Sequence, residues 1–473
     1  MTYVPPPGSI PTLDVPDLAS VSRIHMVGVG GAGMRNLARL LLARGIGVSG
    51  SDLKDSTGLG ELREAGAEVW VGHVAERIDA PDAVVISSAI RDDNPELAEA
   101  RRRGIPVWAR AQALAAAAAD RRTIAVAGTH GKTTTTSMVA LVLEQAGLDP
   151  TYVIGGDPNE TGSGARSGSG DPFVAEADES DGSFLLMRPS IGVVTNVEVD
   201  HVDFYPGGRV EIEAAFTAFA QRCGHVVACI DDEGAMRSVR AAEVATTTYG
   251  VSRDADVRIE VVSPGPGGAR ASLTSGAAKL ALELGVDGAH NVANAAAAVA
   301  VAGLMGVDAQ KAVEALASFT GVHRRFERRG SVRGAEFYDD YGHVPTELAV
   351  TLDVARRTGP DRLVAVFQPH RYSRTQAMWR ELGASLLEAD VIVVTDVYGA
   401  AQAPVPGVTG KLVVEGINRA AANKRVVYLP HRADVVSFLD REVRAGDLVV
   451  TMGCGDVWML GDAALERIRE GAA

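Results

Sequence analysis

Short apolar runs alternate with stretches of helical period along almost the whole chain, and most of these runs end at a glycine, a carboxylate or an imidazole. Residues 24–29 form one such run, followed by a glycine turn and by apolar spacing over 34–42 that predicts a helix; a second strand over 47–51 ends at Asp52. Strand and helix keep alternating through a strand at 83–88, with Ser87 and Ser88 at its carboxyl end, and an alanine-rich helix over 111–119. From Thr123 the pattern restarts: a β-branched run stops at Gly128, turns through Gly131 and continues as a helix. Two further strands carry Glu176, Asp178, Glu179 and Asp181, then Asn196, Glu198, Asp200 and His201, at their ends. Residues 257–284 alternate apolar and polar around a Pro-Gly-Pro-Gly-Gly break and predict antiparallel hairpins, whereas the Gly/Ser-rich run 162–170 predicts a flexible surface loop. A long Ala/Val helix opens near Asp287. The last third holds strands at 335–338, 363–367, 391–394 and 447–452, each with polar groups at its carboxyl end, and a helix whose first turn takes Pro345.

Open α/β sheets bind ligands beyond the carboxyl ends of their strands, so this pattern predicts an α/β chain of three domains. The N-terminal domain (1–120, with a loose arm at its start) and the C-terminal domain (323–473) read as Rossmann-like, and the central one (121–322) as a P-loop ATPase type. The sequence G-T-H-G-K-T at 128–133 points backbone N–H groups and a helix N-terminus at one spot, which makes an anion cradle. Lys132 is placed for β/γ-phosphate oxygens and Thr133 for Mg2+. The general pattern asks for a further glycine where Val126 stands, so the loop is a shortened variant. The carboxylates and His201 at neighbouring strand ends suit a metal–triphosphate site, although acidic strand ends also occur as solvated turns. Asn291 and Asn294 share one helix face and could read an adenine edge or cap the helix; Arg324 and Arg325 could clamp phosphate or form a basic linker. G-x-G-x-x-G at 28–33 with Asp52 further on suits any nucleotide diphosphate, NAD included.

Composition narrows this. The 473 residues are 46% hydrophobic and carry 46 basic against 60 acidic groups, a net −14 that opposes non-specific binding to nucleic acid or an anionic membrane. No apolar run is long enough to span a bilayer, and three cysteines without metal spacing suggest a reducing, cytoplasmic setting with buried thiols. An NAD-dependent oxidoreductase would explain residues 28–52 and leave the P-loop unexplained. A non-catalytic ATP switch would leave the many polar strand ends unexplained.

Seven stretches occur in order over nearly the whole chain: G-T-H-G-K-T-T-T, E-A-D-E-S-D, N-V-E-V-D-H, H-N-V-A-N-A, H-R-R-F-E, D-D-Y-G-H-V-P-T-E and F-Q-P-H-R-Y-S-R-T. With them the sequence resembles the Mur ligases, and the last two are similar to the branch that adds L-alanine. The resemblance implies ATP-dependent joining of L-alanine to the lactyl carboxylate of UDP-N-acetylmuramate through an acyl phosphate, in peptidoglycan precursor synthesis. It implies that Gly28, Gly30, Gly31, Gly33, Met34, Ser51, Asp52, Ser87 and Ser88, with His130, hold the UDP-sugar rather than NAD. It gives Gly128, Thr129, His130, Gly131, Lys132, Thr133 and Thr134 to the ATP phosphates, Asn291 and Asn294 to the adenine pocket, and Arg325 with Asp339 or Asp340 to closure over the nucleotide. Thr133, Glu176 and His201 would serve two Mg2+ ions, with Mn2+ as a substitute; His343, Arg371 and Arg374 would face the amino acid. Lys132, His201, Arg325 and His343 are the implied catalytic set, in a monomer or weak homodimer.

The chain departs from the family twice. Val344 stands where a second histidine is common, so His343 must act alone. No lysine lies between Lys132 and Lys279, which excludes there the carbamylated lysine of several related ligases.

Overall fold

The computed structural model describes residues 14–87, 90–201, 204–265, 268–400 and 402–471. They form two compact units that divide between Thr320 and Gly321.

The first unit opens with a parallel sheet in the spatial order Glu68–Val71, Gly47–Asp52, Arg23–Val27, Ala83–Ile86, Val107–Ala109. Strand order reverses about Arg23–Val27, and this is the point at which an open α/β sheet leaves a crevice for a ligand. The predicted strand 24–29 stops at Val27 because Gly28 turns the chain at φ +78. The alanine-rich helix is Arg110–Ala118.

The second sheet has ten strands. Its parallel centre sets Arg122–Ala127 between Pro172–Glu176 and Ile191–Val194, and His225–Cys229 and Thr246–Gly250 continue it. All these central strands are short β-branched or alanine runs, the composition of strands buried on both faces. The predicted hairpins are Val257–Gly265, Gly268–Ser275 and Ala278–Leu284, which extend one edge. The other edge corrects an expectation: within 162–170, Ala165–Arg166 pairs antiparallel with Thr151–Val153. Gly168 and Gly170 allow this, since a Cβ on either would collide with the carbonyls of Asp149 and Leu148. Asp149 then accepts bonds from the Ser169 N–H and hydroxyl at 2.7 and 2.6 Å.

One hydrophobic cluster runs from Ile24 and Leu41 through Ala115 and Ala118 to Phe173, Phe184 and Phe219, so the first two sheets share a core. Buried Asn36 adds a polar link by donating to the Ile154 carbonyl at 3.0 Å.

In the second unit six strands lie in the order Glu327–Val332, Ala335–Asp340, Asp447–Met452, Arg362–Phe367, Val391–Val394, Arg425–Tyr428. Glu327–Val332 is the antiparallel edge and the rest are parallel. The strand expected to end at Tyr338 continues through Asp340, which places Asp339 and Asp340 inside the sheet. Among the described residues no helix is long and apolar enough to cross a membrane.

Candidate functional site

Two glycine turns prepare two anion cradles in the first unit. The helix Lys132–Gln145 begins at Gly131 (φ +79) and the helix Ala32–Ala43 at Gly31, and neither first turn receives a side-chain cap. By contrast Ser56 and Asn94 cap the neighbouring helices with their own side chains. A glycine at the cap leaves the first N–H groups for a ligand.

The P-loop is laced to the strand end beside it. Thr195 Oγ1 donates to the His130 carbonyl at 2.6 Å, Asn196 Oδ1 accepts from the His130 N–H at 2.8 Å, and Glu198 N donates to Thr129 Oγ1 at 2.9 Å. A Cβ on Gly128 would collide with Thr195 Oγ1, and one on Gly131 would lie 2.8 Å from Asn294 Oδ1. Asn294 therefore buttresses the loop from the helix Ala289–Leu304, while Asn291 Nδ2 donates to the Asp287 carbonyl at 2.6 Å and closes the turn before that helix.

Lys132 is turned inward. Its Nζ donates to the carbonyls of Gly128 (2.7 Å) and Thr129 (3.2 Å) and to Glu179 Oε1 (3.0 Å). Burial opposes the ammonium, but Glu179, Asp178 and Glu176 outweigh it and hold Lys132 above the usual lysine value. Burial pushes the Glu179 carboxyl up to about 7, with Asp178 adding and Lys132 opposing. His201 Nε2 lies 3.7 Å from Glu179 Oε1 and 3.4 Å from Asp200 Oδ2, on a residue in the left-handed region at φ +51. Glu176 accepts from the Gly155 N–H at 2.9 Å. Thr133 is 6% exposed in the first helical turn, and Thr134 follows it, half-buried. Glu176, Asp178, Glu179 and Asp200 thus gather about one lysine, and burial first, with the Asp178 charge added, drives Glu179 toward protonation. Hard oxygen donors with an imidazole and unbalanced negative charge suit a divalent cation such as Mg2+.

At the first glycine loop Gly30 N donates to Asp52 Oδ2 at 2.9 Å, so Asp52 itself rests on the loop. Gly33 faces Arg110, whose Nη1 would lie 2.8 Å from a Cβ there. Burial would raise Asp178, but Lys132, the Ser180 N–H and then Arg110 outweigh it, so Arg110 acts on the glycine loop and on the acidic cluster alike. Ser51 is fully buried: its hydroxyl donates to Glu96 Oε2 and lies 2.7 Å from His73 Nδ1. Burial alone would raise Glu96, but the His25 ring 3.6 Å away and hydrogen bonds from Ser51 and the Val74 N–H outweigh it and hold the carboxyl below its usual range. Met34 is buried beneath the loop, Gly31 is open, and Ser87 Oγ lies 3.5 Å from where a Gly28 Cβ would stand. Ser88 lies outside the described residues.

The second unit builds its own cluster. Arg324 donates to Asp339 Oδ2 (2.9 Å) and to the carbonyls of Gly453 (2.6 Å) and Gly455 (3.1 Å), which commits it to the frame. Thr451 Oγ1 completes Asp339 at 2.6 Å; Asp340 accepts from Phe326 N, Gly342 N and Thr351 Oγ1 at 2.8 to 2.9 Å. Asp339 and Asp340, one of which is expected to close over the nucleotide, are both buried in this frame, where they shape the Arg324–Phe326 turn. Arg325, 32% exposed at its side chain, lies over the Tyr341 ring at 5.0 Å and 3.9 Å from Glu347. His343 Nδ1 is 3.1 Å from the Tyr341 carbonyl, an acceptor that fixes the ring proton there. Its ring meets His370 edge-on at 5.5 Å, and Arg374 Nη1 lies 3.0 Å from His370 Nδ1. Arg371 occupies the left-handed region at φ +66 as the helix Tyr372–Ser385 begins. Arg324 (φ +62) and Phe326 (φ +47) share that conformation, and such strain collects at functional sites.

The sequence gives no individual role to Glu179, Arg110, Asn196 or His370, and it offers Arg324 as a phosphate clamp or basic linker where the structure commits it to the frame. Glu179 and Asn196 lie in runs that had been singled out, but a row of acids does not say which one turns toward the lysine.

Two nucleotide loops on successive α/β sheets, followed by a third α/β sheet bearing a cationic cluster, define an ATP-using ligase architecture. The chain belongs to the Mur ligase family: models of that family match residues 23–122 (Mur ligase family, catalytic domain), 126–302 (Mur ligase middle domain) and 324–455 (Mur ligase, glutamate ligase domain). It is similar to proteins named UDP-N-acetylmuramate–L-alanine ligase from Renibacterium salmoninarum, 47% identical with 96% of this chain and 97% of the relative covered, and from Rubrobacter xylanophilus, 47% identical with 94% and 100% covered. The crystal structure of a UDP-N-acetylmuramate-alanine ligase from Thermotoga maritima matches with a TM-score of 0.81 and 29% identity, covering 95% of this chain and 99% of that one.

Proposed function

We propose that the protein joins the amine of L-alanine to the lactyl carboxylate of UDP-N-acetylmuramate, converting ATP to ADP and phosphate. The observation that carries this reading is the short P-loop with Lys132 set against Glu179 beside a cluster of acids, in a chain 47% identical to ligases of that name. A lactyl carboxylate oxygen attacks the γ-phosphorus and ADP leaves, giving an acyl phosphate. The L-alanine amine then attacks the acyl carbon, and phosphate leaves with the oxygen that the carboxylate supplied. Lys132 and the N–H groups of 131–133 are suited to hold the phosphates, Arg110 and the 28–33 loop the UDP diphosphate, and Arg325 to neutralise the nucleotide. Thr133, Glu176 and His201 would hold Mg2+, which when bound offsets repulsion between carboxylate and triphosphate. Two such ions, with Mn2+ as substitute, belong to this reading, as do roles for Asn291 and Asn294 near the adenine. Asp339 and Asp340 enter through the turn that carries Arg325.

Arg371 and Arg374 suit the amino-acid carboxylate, and His343 the amine. An unperturbed imidazole is a poor base for an ammonium, so His343 orients the amine in this account. Positioning of three substrates supplies on the order of 7 to 11 kcal/mol of the barrier reduction. The free cysteines and acidic charge fit a cytoplasmic enzyme of peptidoglycan precursor synthesis, a monomer or weak homodimer that needs neither nucleic acid nor a membrane. The test is ADP release measured with L-alanine, glycine and L-serine: it should require both UDP-N-acetylmuramate and an amino acid, L-alanine best. ADP release indifferent to UDP-N-acetylmuramate would overturn the reading.

A further inference from the structure

Three strand ends of the second unit deliver metal-binding side chains to one point. His343 follows Ala335–Asp340, His370 follows Arg362–Phe367 and Cys454 follows Asp447–Met452; one nitrogen of each imidazole and the Cys454 sulfur all lie within 4.8 Å of one another. In a tetrahedral zinc site the bond lengths put such donors about 3.3 to 3.6 Å apart, so side-chain movements of about an ångström would close this one. The scaffold is already firm. The Cys454 turn is gripped on both sides by Arg324 through the carbonyls of Gly453 and Gly455. The Tyr341 carbonyl takes the Nδ1 proton of His343, which leaves the lone pair on Nε2, the arrangement a backbone carbonyl gives to metal-binding histidines. His370 stacks on Tyr398 at 5.9 Å, which orients its ring.

We propose that His343, His370 and Cys454 form a site for a borderline-soft divalent ion, Zn2+ in the first place, whose occupancy shuts out the amino acid. Two imidazoles and a thiolate favour Zn2+ strongly over Mg2+, so the ion is distinct in kind from one bound among the oxygen donors of the P-loop. On binding, the metal–sulfur bond forms as the thiol proton leaves to solvent. A thiol must give up its proton to bind the ion, so uptake tightens as pH rises. Arg374 is the element that opposes the ion, because its guanidinium lies 3.0 Å from His370 Nδ1. It must swing away, and with it goes a cation assigned to the L-alanine carboxylate. The exclusion of L-alanine rests on that assignment; the ion site does not.

The test uses the full-length protein and Co2+ as a spectroscopic probe, with Cys454→Ser beside it. A cysteinate-to-cobalt charge-transfer band and tetrahedral visible bands should grow to one equivalent, yield to Zn2+ and vanish in Cys454→Ser, whose activity without added zinc stays near that of the parent. No such band, or an equal band in Cys454→Ser, would overturn the site. Zn2+ should raise the KM for L-alanine without lowering kcat, an effect at least tenfold smaller in Cys454→Ser. A Cys454-dependent band that saturating L-alanine leaves intact would keep the ion site and overturn the placing of L-alanine beside His343.

Discussion

Lys132 Nζ stands 2.9 Å from Glu179 Oε2 and is simultaneously bonded to the carbonyls of Gly128 and Thr129. The cation suited to a triphosphate is thus held on its own loop by a buried acid. On the proposed function a nucleotide would draw Lys132 from those contacts, and a divalent cation held by Thr133, Glu176 and His201 would offset the charge left on Glu179. Lys132→Ala should cut ADP formation by about 10^2 to 10^3-fold or more, the scale of losing one transition-state donor, in a steady-state assay. Glu179→Gln keeps the shape and removes the charge, so the Mg2+ concentration for half-maximal activity should rise roughly tenfold or more.

Gly131 leads into the phosphate helix at φ +79 with Asn294 Oδ1 against its α-carbon face. Gly131→Ala adds a left-handed penalty of about 1 to 2 kcal/mol together with the Asn294 clash. Nucleotide affinity, read by calorimetry, should fall further than the loss in thermal stability accounts for. Asn294→Ala combined with it should restore part of the affinity, since the clash goes and the strain stays.

Much of this site was legible in the sequence because glycine turns and strand ends are local features. Gly128, Lys132 and Thr133 are placed by φ values and a helix start that the residues themselves specify. Glu179, Arg110 and Arg324 were not legible in the same way. Glu179 is one acid in a row until the fold turns it toward Lys132, and Arg110 meets Gly33 only because the first sheet folds the helix Arg110–Ala118 against the loop. Within the run 162–170 composition does not show the short pairing of Ala165–Arg166 with Thr151–Val153, which Gly168 and Gly170 permit by close backbone approach.

Arg374 is 5% exposed and its Nη1 lies 3.0 Å from His370 Nδ1, so without the ion its planar fork is oriented by that imidazole. Arg374→Lys keeps the charge and loses the fork, and the KM for L-alanine should rise about tenfold or more, a loss of about 1.5 to 3 kcal/mol of charged hydrogen bonding. Initial rates over L-alanine concentration check this.

Glu327 carries the clearest pH signature. Burial would raise it, but His323 Nδ1 at 2.7 Å, the Arg324 N–H and Arg329 outweigh that and bring it from near 4.5 to about 2. A depressed folded value stabilises above the unfolded one and is lost as pH falls, here from about pH 5 toward 2. His323 is raised, chiefly by the hydrogen bond to Glu327, so its part is present below about pH 6.5 and lost above the raised value. It is half-exposed, and solvent screening keeps that part small. Denaturant unfolding of Glu327→Gln should show lower stability than the parent above about pH 5 and a shallower acid limb between about pH 5 and 2, the difference closing as pH falls.

The central claim is that a carboxylate of UDP-N-acetylmuramate is phosphorylated before the amine attacks. With both oxygens of the lactyl carboxylate labelled with oxygen-18, one label should appear in inorganic phosphate for each amide bond formed. Phosphate free of label, with the departing heavy oxygen found in water instead, would contradict it.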